Sequence, residues 1–483
     1  MGIRVAFVSG PEESLGIKYL SAVLKSAGHQ PELFIDPQLF SDEIISNKAL
    51  ARMFDSRGHL LRKVVAYKPQ LIAFSVFTDF SFWAYDLSAR LKKITDAPII
   101  FGGIHPTSVP EEVISNKNVD MVCVGEGEYP LLELADSLDN GRKRLDIKNI
   151  WFKVGNEVVK NPVRNLVDLD GLPFADNDIY ANKGRHFRIG YHTIASRGCP
   201  YSCSYCCHSI LKRLHNKEGY YRVRKVDNLI NEILISLKKY DFKIVRFYDD
   251  IFPYQMPWLA EFSEKYRERI KVPFICYLHP DFVNSERVLF LKKSGCVEIR
   301  LGVQSLNEDM RRNILNRHEL NSNIRTAIRI IKESKINVIT ENILGLPGEK
   351  DEDMVEMLNF YNINRPSRNH FFWLRYYPGL EISKYRKDIS GLGHKLSSRV
   401  FTQGGDTYPD VNRKLVIALY IINFLPVSLV RRILRYNIWK LFPSFIPVWS
   451  LNIMSNIASS SYSDRITRAR AFKRYKTYLL RKR

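Results

Sequence analysis

Short apolar segments alternate with segments of helical spacing in two parts of the chain, and this alternation constrains the fold most. Residues 1–140 contain five such apolar segments, and about six more follow between residues 191 and 385. Continuous apolar strands that are separated by helices are typical of parallel sheets with helices on both faces. The pattern therefore predicts an α/β protein with two successive parallel sheets.

The stretch between these two parts has a different pattern. Its segment NIWFKVGNEVVKNPV predicts a β-hairpin around Gly155 and Asn156, and an acidic connector that contains proline follows it. With 483 residues, the chain is long enough for several cores. The expected domains are a Rossmann-like doubly wound parallel sheet (1–140), a hairpin and linker (141–190), a partial (β/α)6 TIM-type barrel (191–385), and a helical, basic region with an apolar patch (386–483).

The loops at one edge of the first predicted sheet are rich in glycine and small polar residues. They are SGPEESLG, SVFTDF, GGIHPTS and GEGEYP. Parallel sheets bind ligands at the carboxyl ends of their strands, and glycine lets a ligand approach the backbone closely. The loops therefore indicate a binding site, although tight turns in any α/β domain would have the same composition.

A group of cysteines follows the strand that opens the second part. The stretch SRGCPYSCSYCC holds Cys199, Cys203 and Cys206 with the spacing C-x3-C-x2-C, and Cys207 comes directly after them. Three thiolates without a fourth at ferredoxin spacing suit a four-iron cluster that has one iron open to a ligand. A structural zinc site needs four ligands, and Cys207 with His208 could complete one, so the spacing leaves both metals open.

The remaining cysteines carry no such pattern. Cys123, Cys276 and Cys296 lie in or beside apolar strands, where we expect them to be small core residues. Cys207 is either a fourth zinc ligand or, if the other three hold an iron–sulfur cluster, a spectator. The metal prediction therefore rests mainly on Cys199, Cys203 and Cys206.

The cysteine spacing, with Tyr205 just before the last cysteine, resembles the motif of the radical SAM enzymes. The segments YYRVRKVDNLINEI, FYDD, LGVQS and LGLPGE are also similar to landmarks of that family. The resemblance implies that Cys199, Cys203 and Cys206 hold a [4Fe–4S] cluster whose open iron binds S-adenosylmethionine. It also implies reductive cleavage of S-adenosylmethionine to a 5′-deoxyadenosyl radical, with the electron supplied by a donor such as flavodoxin or ferredoxin.

The same resemblance implies contacts with S-adenosylmethionine at the ends of the barrel strands. The implied residues are Tyr205, Asp249, Asp250, Gln304, Ser305, Gly345, Pro347 and Gly348. The glycine-glycine-glutamate that is usual in the family is absent at the position of the aspartate pair. A strand-end cap is the alternative role for the aspartates, and an ordinary polar group of the barrel is the alternative for Gln304.

The first part of the chain resembles the cobalamin-binding domain that precedes the barrel in a large subgroup of this family. The similar segments are ESLGIKYLSAVLKSAGH, FSVFT, FGGIHPTSVPEE and VCVGEGE. The implied cobalamin contacts are Leu15, Gly16, Ser75, Thr78, Gly102, Gly103, His105, Gly125, Glu126 and Gly127. The Asp-x-His-x-x-Gly signature is absent, so we expect cobalamin without a protein histidine on its lower face and His105 as a loop-shaping residue. A domain that binds nothing is the alternative.

Together the two resemblances imply a cobalamin-dependent radical SAM enzyme. The radical would abstract a hydrogen atom from an unactivated carbon, and methylcobalamin would supply a methyl group. Ring formation or oxidation without methyl transfer is one alternative. A methylthiotransferase of tRNA would need three further cysteines in the N-terminal domain, which has only Cys123. A non-catalytic iron–sulfur or zinc protein that binds membrane or nucleic acid is the last alternative.

The C-terminal region indicates how the chain meets its partners. The run LVIALYIINFLPVSLV (415–430) contains Pro426 and is shorter than the roughly 20 residues of a membrane span. The basic and aromatic residues after it are Arg431, Arg432, Arg435, Trp439 and Lys440. This combination predicts either an interfacial membrane anchor or a helical cap that closes the barrel. An anchor favours a lipid-like substrate, and a cap favours a small natural product or a peptide.

The charge of the chain is strongly positive. The net charge is +22, and the last twenty residues hold nine Lys or Arg and one acid. This favours an anionic partner such as a lipid surface or a phosphorylated substrate, although solvated lysines would give the same balance, and we do not expect nucleic acid as a partner. The N-terminal MGIRVAFVSGPEES has no apolar leader, so we expect a cytoplasmic protein, peripheral at most on the inner membrane face.

Overall fold

The computed structural model describes residues 2–41, 47–142, 144–215, 219–385, 411–446, 450–451 and 461–480. The strands are β1 (Arg4–Ser9), β2 (Gln30–Ile35), β3 (Leu71–Ser75), β4 (Ile99–Gly102), β5 (Met121–Cys123), β6 (Ile150–Val154), β7 (Glu157–Lys160), β8 (Tyr191–Thr193), β9 (Ser196–Arg197), β10 (Arg222–Val223), β11 (Val245–Phe247), β12 (Phe274–Leu278), β13 (Cys296–Gln304), β14 (Asn337–Leu344) and β15 (Arg368–Trp373).

The helices that connect these strands alternate with them along most of the chain. They are α1 (Leu15–Ser26), α2 (Lys48–Met53), α3 (Arg57–Ala66), α4 (Ser81–Leu91), α5 (Ile104–Ser108), α6 (Pro110–Ser115), α7 (Glu128–Asp139), α8 (Asp178–Ala181), α9 (His208–Leu214), α10 (Val226–Lys239), α11 (Met256–Arg269), α12 (Ser285–Lys293), α13 (Glu308–Asn313), α14 (Asn321–Glu333), α15 (Asp351–Asn364), α16 (Arg413–Ile421), α17 (Val427–Arg435) and α18 (Tyr462–Leu480). Short 3-10 helices lie at Thr78–Phe80, Arg185–Arg188, Pro280–Phe282, Glu381–Tyr385, Ile422–Phe424 and Ile438–Leu441.

The first sheet has the order β2-β1-β3-β4-β5-β6-β7, and its first five strands are parallel. Side chains of one strand alternate between the two faces. Val5 and Phe7 of β1 pack in one hydrophobic cluster, and Ala6 and Val8 pack in another. Both faces are therefore buried under helices, which confirms the predicted Rossmann-like doubly wound sheet.

The hairpin predicted around Gly155 and Asn156 is present, but it extends the first sheet. Strand β6 pairs antiparallel with β5, and β7 pairs antiparallel with β6. Gly155 has a φ of +59°, which suits a tight turn. The buried side chains of Ile150 and Phe152 join the same cluster as Val5 and Phe7, so this sheet continues to Lys160, beyond the predicted domain end at residue 140.

The second sheet forms the predicted partial barrel. Its order is β8-β11-β12-β13-β14-β15, and all neighbouring pairs are parallel. The outward side chains of these strands pack with α10, α11, α12, α14 and α15 in one large core. The six strands and their helices confirm the (β/α)6 architecture, whose sites lie at the carboxyl ends of the strands.

The C-terminal region is helical and packs on the barrel. The side chains of 415–420 in α16 are buried in the barrel core, and Tyr420 lies against Phe371 of β15 with ring centroids 5.4 Å apart. Trp439 is buried in the same core, so it does not belong to an exposed anchor as the sequence suggested. Among the residues that the structure describes, no helix is long and apolar enough to cross a membrane.

Candidate active site

The cysteine loop leaves the barrel directly after its first strand. Strand β8 ends at Thr193, and the short β9 pairs antiparallel with β10, which returns after α9. Gly198 has a φ of +91°, and a Cβ atom there would lie 2.3 Å from the carbonyl oxygen of Tyr220. Only glycine fits this close approach. The pairing of β9 with β10 and the close approach at Gly198 therefore fix the backbone on either side of the cysteines.

The three predicted ligand cysteines form no disulfide, and Cys203 is buried whereas Cys199 and Cys206 are half-buried. Burial, together with the nearby Asp250, Cys206 and Cys203, raises the pKa of the Cys199 thiol to about 12. Burial also raises the pKa of Cys203 above its ordinary value. A thiol must lose its proton to bind a metal, and a metal ion supplies the positive charge that favours this loss. The donor set therefore fits a metal cluster.

The zinc alternative involves the residues next to this set. Cys206, Cys207 and His208 place their ligand atoms within 4.8 Å of one another, and they are the only such group among the described residues. Both ring nitrogens of His208 already have partners, however. Nδ1 lies 2.6 Å from the Tyr220 hydroxyl, and Nε2 lies 2.7 Å from a carboxylate oxygen of Asp250. A zinc ion at His208 would have to break one of these contacts, so the geometry favours the cluster.

The predicted contacts of S-adenosylmethionine lie at the carboxyl ends of the neighbouring strands. Tyr205 packs among side chains from β14 and the loops after it, including Ile343 and Leu346. Gln304 ends β13 with a φ of +68°, and Ser305 is buried after it. The structure thus brings the loop after β14 to Tyr205, at the end of the barrel where the cysteine loop lies.

The glycines of LGLPGE follow β14 at this end. Gly345 and Gly348 have φ angles of +76° and +77°, with Pro347 between them. A Cβ atom at Gly348 would meet no other atom within 4 Å. The backbone there is open to a ligand, which supports the contact that the family resemblance implies and leaves it a prediction.

Asp249 and Asp250 have different surroundings. The Asp249 carboxylate accepts hydrogen bonds from the backbone N–H groups of Ala195 and Ser196 at 2.6 to 3.1 Å and from the Ser196 hydroxyl. Burial raises the pKa of Asp249 to about 7. Its contacts support the strand-end cap that the sequence left open, because the carboxylate fixes the strand that leads into the cysteine loop. Asp250 instead holds His208.

Two further residues of this site escaped the sequence reasoning. Arg317 donates to the carbonyl oxygen of Gly302 at 2.8 Å, lies 3.4 Å from the Tyr205 hydroxyl and pairs with Glu319 at 2.7 Å. Glu349 accepts a hydrogen bond from the N–H of Gly345 at 2.7 Å, and burial raises its pKa to about 7. Glu349 ends the segment LGLPGE, whose glycines drew attention first, whereas Arg317 lies outside every segment singled out from the sequence.

A cavity of about 240 Å³ lies at the carboxyl ends of the first sheet. Eight predicted cobalamin contacts line it, namely Leu15, Gly16, Ser75, Gly102, Gly103, Gly125, Glu126 and Gly127. A Cβ atom at Gly103 would lie 3.0 Å from the backbone of Val76, and one at Gly127 would lie 3.3 Å from Leu20. Because glycines at these positions have no side chain, they leave a largely apolar space, which fits a flat ligand such as a part of cobalamin.

Two predicted contacts do not line this cavity. Thr78 begins the 3-10 helix that precedes α4. His105 is buried in α5 with its Nε2 atom 3.4 Å from the Tyr85 hydroxyl, and burial lowers its pKa to about 4. His105 packs within the domain, as the loop-shaping interpretation expects. Its role and that of Thr78 toward cobalamin stay predictions.

Ion pairs join the cavity to the cysteine loop. Arg197, two residues before Cys199, pairs with Glu126 at 3.1 Å and with Glu128 at 2.7 Å. Arg222 pairs with Glu126 at 2.6 Å, so the Glu126 side chain, which lines the cavity, binds two arginines. We call Arg197, Arg222, Glu126 and Glu128 the interdomain clamp. No local sequence pattern predicts these pairs, because the partners are about 70 to 96 residues apart.

Comparisons with known proteins agree with this arrangement. Residues 2–135 match the B12 binding domain family, and residues 193–361 match the radical SAM superfamily. The chain is 23% identical over 397 residues to an uncharacterized methyltransferase of Pyrococcus horikoshii, covering 79% of this chain and 80% of the relative. It is 26% identical over 382 residues to the anaerobic magnesium-protoporphyrin IX monomethyl ester cyclase of Cereibacter sphaeroides, covering 73% of this chain and 59% of the cyclase.

A solved structure shows the same fold. The radical S-adenosylmethionine methyltransferase TsrM of Kitasatospora setae, determined with cobalamin and a [4Fe–4S] cluster, superposes with a TM-score of 0.63 at 17% identity, over 79% of this chain and 74% of TsrM. The radical SAM domain implies a [4Fe–4S] cluster and S-adenosylmethionine as cofactors, and the B12 binding domain implies cobalamin. This chain therefore belongs to the radical SAM enzymes that carry an N-terminal cobalamin-binding domain.

Proposed function

We propose that this enzyme transfers a methyl group from cobalamin to an unactivated carbon of a small-molecule substrate. The observation that carries the proposal is the interdomain clamp, in which Arg197 of the cysteine loop binds Glu126 and Glu128 beside the glycine-lined cavity. The clamp holds the two cofactor regions together, which a sequential use of both cofactors on one substrate requires. When bound, the cluster with S-adenosylmethionine supplies a radical, and cobalamin supplies a methyl group.

The residues of the chain itself position and shield these groups. Asp249 fixes the backbone before the cysteine loop, and Gly198 lets that loop pass close to Tyr220. A second contact between the domains lies at Asp79, which pairs with Arg375 and accepts a hydrogen bond from the Tyr377 hydroxyl at 2.8 Å. Two separate ion-pair contacts thus orient the first sheet against the barrel, and a fixed gap between cofactors helps exclude water from reactive intermediates.

The relatives leave two reactions open. One is named a methyltransferase and another is a ring-forming cyclase. The chain covers 80% of the methyltransferase and 59% of the cyclase, so the similarity to the methyltransferase spans more of the relative. We therefore place methyl transfer first and cyclisation or oxidation second.

The products of S-adenosylmethionine distinguish these reactions. The full chain would be reconstituted anaerobically with iron, sulfide and hydroxocobalamin and then given S-adenosylmethionine and a strong reductant. Methyl transfer predicts both 5′-deoxyadenosine and S-adenosylhomocysteine by mass spectrometry, whereas cyclisation predicts 5′-deoxyadenosine without S-adenosylhomocysteine. A cluster-loaded protein that cleaves no S-adenosylmethionine under any of these conditions would contradict both.

We also propose that the enzyme binds peripherally to the cytoplasmic face of a membrane and takes a lipid-like substrate there, with flavodoxin or ferredoxin as electron donor. Helix α17 buries Val430 and Ile433, whereas Arg431, Arg432 and Arg435 on the same helix are exposed. The exposed apolar residues around it are Phe424, Val427, Leu429, Tyr436, Leu441 and Phe445. We call these apolar residues and the three arginines the C-terminal patch. The chain has no acidic residue from 411 to 463, so the patch suits an anionic leaflet.

Surface substitutions test this contact better than a truncation. Removing residues 411–483 would also remove 415–420, which are buried in the barrel core. A variant with Leu441→Ser and Phe445→Ser changes two side chains that are 81% and 83% exposed. It should float less with anionic vesicles than the wild type, and Met53→Ser, which changes an exposed side chain outside the patch, should float as the wild type does. Equal flotation of all three proteins would contradict the proposal.

A further inference from the structure

The inner face of the second sheet, which we call the barrel lumen, is lined by charged and aromatic side chains. Side chains alternate along a strand, and Phe371 of β15 packs outward against Tyr420 of α16. Its neighbours His370 and Phe372 therefore face inward. The side chains that face the lumen are joined by ring contacts, cation–π contacts and one ion pair. They are His192, Arg246, Tyr248, Tyr277, Arg300, Glu341, His370 and Phe372.

Helix α18 closes one end of the lumen. Arg470 of α18 donates to the carbonyl oxygen of Gly190, just before β8, at 3.1 Å, and Ile466 packs between Ile244 and Ile275. These are the amino-terminal ends of the strands. Farther along the strands, Tyr248 is 38% exposed and Phe372 is 43% exposed. A ligand therefore enters from the end that carries the cysteine loop.

Three of the four arginines that face the lumen or its closed end have acidic partners. Arg300 pairs with Glu341 at 3.0 Å. Arg368 pairs with Asp464 of α18. Arg470 pairs with Glu13 from the first domain at 3.1 Å. The remaining acid on this face, Glu298 of β13, is fully buried, lies 3.9 Å from Arg300 and accepts hydrogen bonds from Ser463 of α18. The described carboxylates near these arginines are therefore already engaged.

Arg246 of β11 is the arginine without such a partner. It is 8% exposed, its buried Nε atom has no hydrogen-bond partner, and its side chain forms no ion pair with any residue that the structure describes. Its guanidinium carbon lies 5.0 Å from the centre of the Tyr248 ring. The rings around it belong to Tyr248, Tyr277, His192 and His370, none of which supplies a carboxylate, and burial lowers the pKa of both histidines well below the ordinary value. A buried charge without a counter-ion is costly, so a retained one indicates a ligand.

We propose that Arg246 binds an oxyanion of the substrate, a carboxylate or a phosphate, inside the barrel lumen. This rests on the proposed function, because it assigns the substrate of the same radical site. The planar guanidinium binds either oxyanion through two parallel hydrogen bonds. Tyr248 and Tyr277, whose ring centroids are 6.3 Å apart, form an aromatic wall beside it.

The position of Arg246 along its strand sets the depth of the bound group. It lies three residues before Asp249, which braces the cysteine loop. At about 3.3 Å per residue, the backbone of Arg246 lies roughly 10 Å below that level, so the oxyanion is bound deep in the lumen. The rest of the substrate then points toward the open end, where Cys199, Cys203 and Cys206 would hold the cluster. An anionic head with an apolar body suits both the lumen and the C-terminal patch.

Binding of simple amphiphiles tests this assignment without turnover. The full-length, cluster-reconstituted protein would be titrated anaerobically with octyl phosphate, octanoate and the uncharged octyl glucoside at constant ionic strength. We expect one or both anions to bind and to raise the melting temperature, and the tighter anion identifies the group. Arg246→Met should bind that anion at least about tenfold more weakly, and Arg246→Lys should retain part of the affinity.

The stability of the unliganded variant separates a binding role from a structural one. Removal of an unpaired buried charge should leave the melting temperature of unliganded Arg246→Met equal to or above that of the wild type. Arg329→Gln, which changes an arginine that is 60% exposed on α14, should behave as the wild type in every titration. Equal anion binding by wild type and Arg246→Met, no anion binding by the wild type, or octyl glucoside binding as tightly as the anions would overturn the assignment.

The outcome does not depend on catalysis. If the protein cleaves no S-adenosylmethionine but Arg246→Met loses anion binding, the proposed function fails while the oxyanion site stands. If S-adenosylmethionine is cleaved and the anion titrations are unchanged by Arg246→Met, the oxyanion site fails while the proposed function stands.

Discussion

The cysteine loop is suited to bind a metal cluster through its thiol side chains, whereas the cavity of the first sheet exists because glycines, which have no side chain, line it. At the loop, the thiols of Cys199 and Cys203 keep their protons until a metal replaces them. At the cavity, Gly103 and Gly127 leave space where a Cβ atom would touch Val76 or Leu20. One region depends on donor chemistry and the other on shape, so different substitutions should disable them separately.

The largest expected effect is the loss of the cluster. Cys203 is 7% exposed, and Cys203→Ala removes one of three thiolate donors. We expect the variant to lose most of its iron and sulfide and with them all cleavage of S-adenosylmethionine, while cobalamin binding persists. Cys207→Ala is the matched control, since the neighbouring thiol should not bind the cluster. Full retention of iron by Cys203→Ala would show that the ligand set is wrong.

The next effect should fall on the cavity alone. Gly127 has an ordinary negative φ of −104°, so Gly127→Val adds volume without backbone strain, and its Cβ would lie 3.3 Å from Leu20. If the crowding costs the complex about 1–3 kcal/mol, as overpacking does in a core, cobalamin should bind more weakly by roughly fivefold to 150-fold. Equilibrium dialysis with hydroxocobalamin measures it.

The matched control for that variant is Gly58→Ala in α3, where the nearest atom to a new Cβ, on Arg62, is 3.9 Å away. It should bind cobalamin as the wild type does. An unchanged affinity of Gly127→Val would show that the ligand lies elsewhere.

Breaking the interdomain clamp should cause a smaller loss of cobalamin affinity than Gly127→Val does, and it should also lower the stability of the fold. Arg197→Gln leaves the largely buried Glu128 without its arginine, and breaking a buried pair costs about 3–5 kcal/mol of unfolding free energy. Iron content should change little, whereas cobalamin affinity and denaturant stability should both fall. Arg197→Lys should recover part of each. If Arg197→Gln kept the cobalamin affinity and the denaturant stability of the wild type, the proposed role of the clamp would be wrong.

The smallest effect is a change in acid stability. Burial alone would raise the pKa of Glu126, but the hydrogen bond from Arg222 and the charge of Arg197 lower it below the ordinary 4.5. A carboxyl whose pKa is lowered by folding stabilises the protein above the unfolded pKa and loses that contribution as the pH falls through the folded value. Melting temperatures measured downward from pH 6 should therefore fall more steeply for the wild type than for Glu126→Gln. If the melting temperatures of both proteins fell in parallel with pH, the pKa of Glu126 would not be lowered by folding.

The sequence predicted the parts of the fold that local patterns encode. Apolar strands and helical spacing gave both parallel sheets, and the turn at Gly155 gave the hairpin, because these features depend on neighbouring residues. The partner of the hairpin was not predictable in this way. Strand β6 joins β5, and that choice depends on the unpaired edge of the folded sheet.

The site divides along the same line. The cysteines and glycines follow from spacing and from backbone needs, which are properties of short segments. The clamp at Arg197, the brace at Asp249 and the burial of Trp439 depend on how distant elements dock, as does the unpaired state of Arg246. No local pattern marks such contacts, so they became visible only in three dimensions.

The central claim is that one chain holds both cofactor regions in working order. The most direct test is to reconstitute the full chain anaerobically, remove excess reagents and determine iron, sulfide and cobalamin per chain in the same sample. The account predicts one four-iron cluster and one cobalamin per chain. A full complement of iron and sulfide without cobalamin would contradict it, because the glycine-lined cavity would then be no cofactor site and methyl transfer would lose its donor.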